Sequence, residues 1–153
     1  MSTTPDLSPV RDFAARVRAA VERAVVGKPQ IIDMVVASML AGGHVLFEDF
    51  PGLGKTLLAR TMAESMGLGF RRIQFTPDLL PADITGGHVY NRDSGTFDLQ
   101  KGPIFTNVLL ADEVNRASPK TQAALLEAMQ EGQVTLEGST LQLPEPFIVL
   151  ATQ

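Results

Sequence analysis

The sequence predicts an α/β fold built on a largely parallel sheet, and three observations carry that prediction. The runs "HVLFE" (44–48), "NVLLADE" (107–113) and "FIVLAT" (147–152) are short and apolar without polar alternation, as strands buried on both faces are. Between them lie stretches whose apolar residues recur at helical spacing. The resulting order of strand, helix, strand, helix, strand is that of crossover units feeding a parallel sheet.

Each element has a local reason. Ser8 can cap a helix running to about Ala24. Pro9 suits its first position, and Val10, Phe13, Val17, Ala20 and Val21 recur at helical spacing. Gly27 and Pro29 break it, and a second helix is predicted from about Ile31 to Ala41, stopped by Gly42-Gly43. The strand at 44–48 leads into a glycine-rich loop, then a helix over Lys55 to Met66 that ends at Gly67. "FRRIQF" (70–75) is the next strand, with Arg71 and Arg72 on an exposed edge. Residues 76–105 read as irregular, with Thr76-Pro77-Asp78 a turn and a hairpin folding at Asn91 to Gly95. Ser118 and Pro119 open a helix that Gly132 closes, and a second hairpin turns at Glu137-Gly138 before the last strand. Met62, Met66 and Met129 fall on core-facing helical positions.

Composition excludes several function classes. A chain of 153 residues, 44% hydrophobic and 20% charged, suits one folded domain with a sizeable core. A net charge of −4 argues against a broad nucleic-acid footprint. Cysteine is absent, which removes disulfides and thiolate chemistry. His44 and His88 stand alone in the sequence, with no partner at metal-ligand spacing. "MSTTPDLSPV" lacks the features of a signal peptide, and "IIDMVVASMLAGGHVLF" is interrupted by Asp33 and two glycines. A soluble, cytoplasmic protein with no stable membrane insertion is expected.

The chemistry concentrates in "LFEDFPGLGKTLLAR" (46–60), a phosphate-binding pattern whose first glycine position holds Asp49. Pro51, Gly52, Leu53, Gly54, Lys55, Thr56 and Leu57 form the candidate nucleotide-binding stretch. Backbone N–H groups of Gly52 to Thr56 can curl around a β-phosphate at the positive end of the following helix. Glycine lets backbone approach phosphate oxygens that a Cβ would strike. Lys55 is the mobile cation for the β- and γ-phosphates, and Thr56 offers a hydroxyl to Mg²⁺. Asp49 tolerates turn geometry and, with Glu48, is expected to point away from the triphosphate. A strand–turn–helix with no ligand is the plain alternative. The run "VLLADE" weighs against it, because Asp112 and Glu113 end a buried strand where open α/β sheets bind ligands. Asp112 would hold Mg²⁺, partly through water, and Glu113 would polarise the attacking water.

"PGLGKTLLAR", "FRRIQFTPDLLPADITG", "GPIFTNVLLADEVNRASPKTQAALLEAMQEGQVTLEG" and "LPEPFIVLATQ" together resemble the MoxR family of AAA+ ATPases. The resemblance runs from about Val25 to Gln153, with residues 1–24 a separate N-terminal helix. It implies a P-loop three-layer α/β/α fold carrying two hairpin insertions, with ATP and Mg²⁺ as cofactors. It also implies that Val26 and Gly27 touch adenine, that Asn115 and Arg116 lie near a subunit interface, and that Gln74 orients Glu113. The hairpins would project towards a pore or partner. A homo-oligomeric, hexameric ring and client proteins, among them von Willebrand factor A-domain proteins, are implied as well. The family pattern continues beyond Gln153 with a sensor Asn, a fifth strand, an arginine finger and a helical lid. The chain alone is therefore expected to be an inactive partial motor in which a core strand lacks its next neighbour, leaving an apolar sheet edge exposed.

Two functions of different class follow. One is a chaperone-like ATPase that remodels or matures protein complexes. The other is a nucleotide-dependent binding module that hydrolyses little. A P-loop kinase finds no support, since no phosphate-acceptor site is visible.

Overall fold

The computed structural model describes residues 5–27, 29–48 and 54–153. Helix α1 (Ser8–Ala24) starts one residue earlier than the sequence suggests, with Leu7 at the cap position. Ser8 is inside the helix rather than capping it, and its N–H donates to Asp6 Oδ1 at 2.9 Å. An acceptor two residues upstream has taken the capping role. Helix α2 (Pro29–Leu40) likewise begins at its proline, which has no N–H to leave unpaired in the first turn.

The chain then alternates as predicted. Strand β1 (Val45–Phe47) precedes α3 (Lys55–Ser65), which is followed by β2 (Phe70–Gln74). Residues 76–105 are more ordered than their sequence suggests. After a turn closed by Leu79 N–H on the Thr76 carbonyl comes the short helix α4 (Pro81–Thr85). Pro81 opens it, and Asp83 Oδ2 accepts the Leu80 N–H at 2.8 Å. Strands β3 (Gly86–Asn91) and β4 (Thr96–Lys101) form the first hairpin. Its base is tight. A Cβ on Gly102 would lie 2.3 Å from the Ile84 carbonyl oxygen and 2.4 Å from the Gly86 nitrogen. Strand β5 (Val108–Asp112), a 3-10 turn (Val114–Arg116) and α5 (Pro119–Glu131) come next, with Ser118 capping α5 and Gly132 ending it in a left-handed conformation. The second hairpin, β6 (Gln133–Leu136) and β7 (Ser139–Gln142), precedes β8 (Ile148–Thr152).

The four long-range strands form one parallel sheet in the order β1-β8-β5-β2. In this order β8 lies between β1 and β5 and is buried throughout. The edge on that side is β1, where Leu46 is 50% exposed, so the first strand is less buried than its apolar run suggests.

Alternation along β5 explains the layers. Val108 and Leu110 face one side, with Phe47, Ile148 and Leu150, and are covered by α1, α2 and α3 through Val17, Val21, Ile32, Leu58 and Met62. Leu109 and Ala111 face the other, with Val149, and are covered by Ile84, Leu125, Ala128 and Val134. Each fully buried Leu or Ile contributes about 1.5–3 kcal/mol relative to an exposed one. Met66 and Met129 pack partly buried at the margins of these two clusters. The result is a three-layer α/β/α body in which α1 shares the core of the sheet.

His44 acts as a strut between layers. Its Nδ1 accepts the Val149 N–H at 3.0 Å, so its Nε2 carries the proton and donates to the Met129 carbonyl at 3.1 Å. His88 Nδ1 lies 3.0 Å from a Glu137 carboxylate oxygen, and there the two hairpins meet. Among the described residues no helix is long and apolar enough to cross a membrane.

Candidate nucleotide site

All four parallel strands end at the same edge of the sheet, and their order decides which ends are neighbours. Phe47 pairs with Thr152, Ala151 with Ala111, and Asp112 with Gln74. Polar groups separated by about 40 positions in sequence therefore stand side by side, at the carboxyl ends where open sheets bind ligands.

Thr152 is the hub of this edge. Although polar, it is only 2% exposed. Its Oγ1 accepts the Glu113 backbone N–H at 2.9 Å and donates its own proton to Asp112 Oδ1. One hydroxyl thus fixes the carboxylate of one acid and the backbone of the next. Glu113 adopts a left-handed conformation with φ of 55°. Such a conformation costs a non-glycine residue about 1–2 kcal/mol. In an unbroken strand Asp112 and Glu113 would point to opposite faces. The left-handed turn ends the strand and lets both carboxylates join one cluster.

The second carboxylate oxygens complete the network. Asp112 Oδ2 accepts from Arg72 Nη2 at 2.6 Å, and the same nitrogen donates to Gln74 Oε1 at 2.9 Å. Gln74 Nε2 then donates to Glu113 Oε2 at 2.9 Å, as the resemblance implied. Arg116 Nη1 donates to that same oxygen at 2.7 Å. The Asp112 side chain is 21% exposed and that of Glu113 46%. The first is a shielded anion, while the second is open to water.

Burial raises the pKa of Asp112, but the Thr152 hydroxyl, the Arg72 guanidinium and the Lys55 charge together outweigh it. The carboxyl is held below its ordinary value and stays ionised at neutral pH. Lys55 opens α3 behind Gly54, whose φ of 63° is left-handed, and among the described residues no side chain caps this helix start. Thr56 follows in the first turn, and Leu57 is 48% exposed beside it. Asp49, Pro51, Gly52 and Leu53 lie outside the described residues. Glu48, expected to turn away from a triphosphate, accepts a hydrogen bond from Gln153 Nε2 at 2.7 Å. Val26 is 88% exposed on the link between α1 and α2, and Gly27 has a φ of 87°.

Sequence reasoning missed two members of the cluster. Thr152 gave no signal, because its neighbours are defined only by strand order. Arg72 did give one, since it lies two residues before Gln74 and so on the same face of β2. Arg116, assigned by resemblance to a subunit interface, engages Glu113 within the chain.

Residues 44–153 match the ATPase family associated with various cellular activities (AAA). The chain belongs to the AAA family of ATPases. Among its relatives is the chaperone MoxR1 of Mycobacterium tuberculosis, 49% identical over 87% of this chain and 35% of that protein. The uncharacterized protein YeaC of Bacillus subtilis is 52% identical over the whole chain and 47% of its own length. A crystal structure from Cytophaga hutchinsonii superposes with a TM-score of 0.79 at 47% identity, covering 96% of this chain and 47% of that one. These relatives place the chain in the MoxR branch of the AAA family. It spans less than half the length of each. Membership implies a nucleotide site, and the sheet edge described above is the candidate for it.

Proposed function

We propose that this chain carries the ATP-binding and hydrolytic groups of a MoxR-type ATPase that remodels or matures protein complexes. The observation that carries the reading is the convergence at one sheet edge. Asp112 and Glu113 are held together there by Thr152, Arg72 and Gln74, with the Glu113 carboxylate half exposed.

Backbone N–H groups of Gly52 to Thr56 and the start of α3 cradle the phosphates, and Lys55 pairs with the β- and γ-oxygens. Exposed Val26, with Gly27, offers an apolar surface to adenine. The Thr56 hydroxyl and the Asp112 carboxylate are hard oxygen donors of the kind Mg²⁺ takes, and the ionised state of Asp112 suits it. When bound, Mg²⁺ neutralises phosphate charge. Glu113 orients a water for in-line attack on the γ-phosphorus and accepts its proton. ADP leaves with its β-phosphate oxygen restored, and inorganic phosphate is the second product.

The hairpins β3–β4 and β6–β7 stand outside these groups and serve coupling to a client. A cytoplasmic hexameric ring, acting on proteins such as those with von Willebrand factor A domains, completes the proposal. A nucleotide switch with little hydrolysis is the second reading. It is favoured by the two donors, Gln74 and Arg116, that both hold Glu113 Oε2.

Single-turnover hydrolysis by the full-length protein separates the two. The ATPase reading expects phosphate release by the parent and its loss in Glu113→Gln, with ATP still bound. Removing the general base should cost about 100- to 10,000-fold in rate. A variant as fast as the parent would remove Glu113 from the mechanism.

A further inference from the structure

Two acids, Glu48 and Asp49, stand in sequence just ahead of the candidate phosphate loop, where negative charge opposes a triphosphate. The structure gives the first of them a partner. Glu48 is exposed and follows β1 directly, and its Oε1 accepts from Gln153 Nε2 at 2.7 Å. Strand β1 is only three residues long and is registered on β8, with Phe47 opposite Thr152. The Gln153 N–H extends that ladder by one step, donating to the Phe47 carbonyl at 3.2 Å. The Glu48–Gln153 bond then carries the attachment one residue further, to the point where the chain enters 49–53. A carboxylate only accepts, so it takes the NH₂ end of the Gln153 amide and fixes its orientation.

The other end of this attachment is anchored. Thr152, adjacent to Gln153, is buried and bonds both Asp112 Oδ1 and the Glu113 N–H. One strand end therefore reaches the acids with Thr152 and the approach to the loop with Gln153. We propose that Glu48 and Gln153 are positioning residues that pin the entry of the phosphate loop to the strand end holding the acid pair. The inference rests on the ATPase reading above. A loop that binds phosphate through backbone N–H groups gains affinity from being held in place beforehand, because less ordering is left to do on binding. Helix α3 fixes the exit of the loop, with the Leu58 N–H on the Gly54 carbonyl at 2.9 Å, and Glu48 fixes the entry.

The test is a titration of the full-length protein with a fluorescent ADP analogue and Mg²⁺. Gln153→Glu sets a second carboxylate against Glu48 and should weaken affinity by about 2- to 5-fold, the scale of one exposed charged contact. Adding Glu48→Gln restores a donor and an acceptor with their roles exchanged, and should return most of the lost affinity. Gln153→Ala removes the donor without adding charge and should weaken binding as well, and Glu48→Ala on top of it should add no further loss. Both side chains lie in solvent, so none of these substitutions opens the core. A direct contact of Gln153 with the nucleotide, or a role in folding alone, gives no rescue by the exchanged pair. Parent affinity in Gln153→Glu, or no recovery in the exchanged pair, overturns the proposal. A parent protein that does not bind the probe would instead overturn the ATPase reading on which the inference stands.

Discussion

Thr152→Val is the substitution that tests the site's architecture most directly. Valine matches threonine in shape, so the packing around this buried position is kept while both hydrogen bonds are lost. The Glu113 N–H is left without its acceptor, which costs about 1–3 kcal/mol when such a group is buried. The bond to the Asp112 carboxylate is charge-assisted and contributes about 1.5–3 kcal/mol, of which water recovers part because Asp112 is 21% exposed. The sum points to a loss of about 2–4 kcal/mol at pH 7. The pH dependence separates the two contributions. Asp112 has a depressed folded-state pKa, so its stabilising effect is present above the ordinary carboxylate range and lost as pH falls through the folded value. Removing the Thr152 donor shrinks that depression. The gap between variant and parent should therefore be widest at neutral pH and narrow in acid, leaving the share due to the orphaned N–H. Urea unfolding at pH 7 and near pH 3 measures both, with Thr152→Ser, which keeps the hydroxyl, as the control. A valine variant within about 0.5 kcal/mol of the parent at pH 7 would refute the claim that Thr152 holds the two acids.

Three further outcomes are expected. Lys55→Ala should abolish measurable binding in a fluorescent-nucleotide titration, because it removes the mobile cation proposed to face the triphosphate; unchanged affinity would remove the loop from the site. Gly102→Ala should lower stability by about 1–3 kcal/mol in thermal unfolding, since the new Cβ meets the Ile84 and Gly86 backbone rather than a movable side chain. An unshifted melting temperature would mean that the hairpin base is looser than described. Replacing the turn at Asn91 to Gly95, or at Glu137-Gly138, with a short Gly/Ser link should leave ATP binding intact and impair coupling to a client. Loss of ATP binding in either variant would argue that the hairpins support the nucleotide site itself.

The sequence alone determined the features that depend on a few neighbouring residues. An apolar run ending in Asp112-Glu113 reads as a buried strand reaching a ligand-facing edge, because such a run has no polar face to leave in water. Ser118 and Gly132 mark the ends of α5 by capping chemistry that acts within one turn. Gly54, Lys55 and Thr56 mark a candidate phosphate site by residue type alone. Even local reading faltered where two candidates competed, as when Asp6 rather than Ser8 met the first helix.

Tertiary structure decided what those pieces touch. The order β1-β8-β5-β2 puts the last strand inside the sheet and sets Thr152 against both acids. It also lays β2 beside β5, so that Arg72 and Gln74 meet Asp112 and Glu113. No local preference encodes these contacts, since residues about 40 positions apart have no influence on each other's backbone. They arise because a sheet with two apolar faces is stable only when helices cover both, and the strand order that allows this fixes every neighbour at its polar edge.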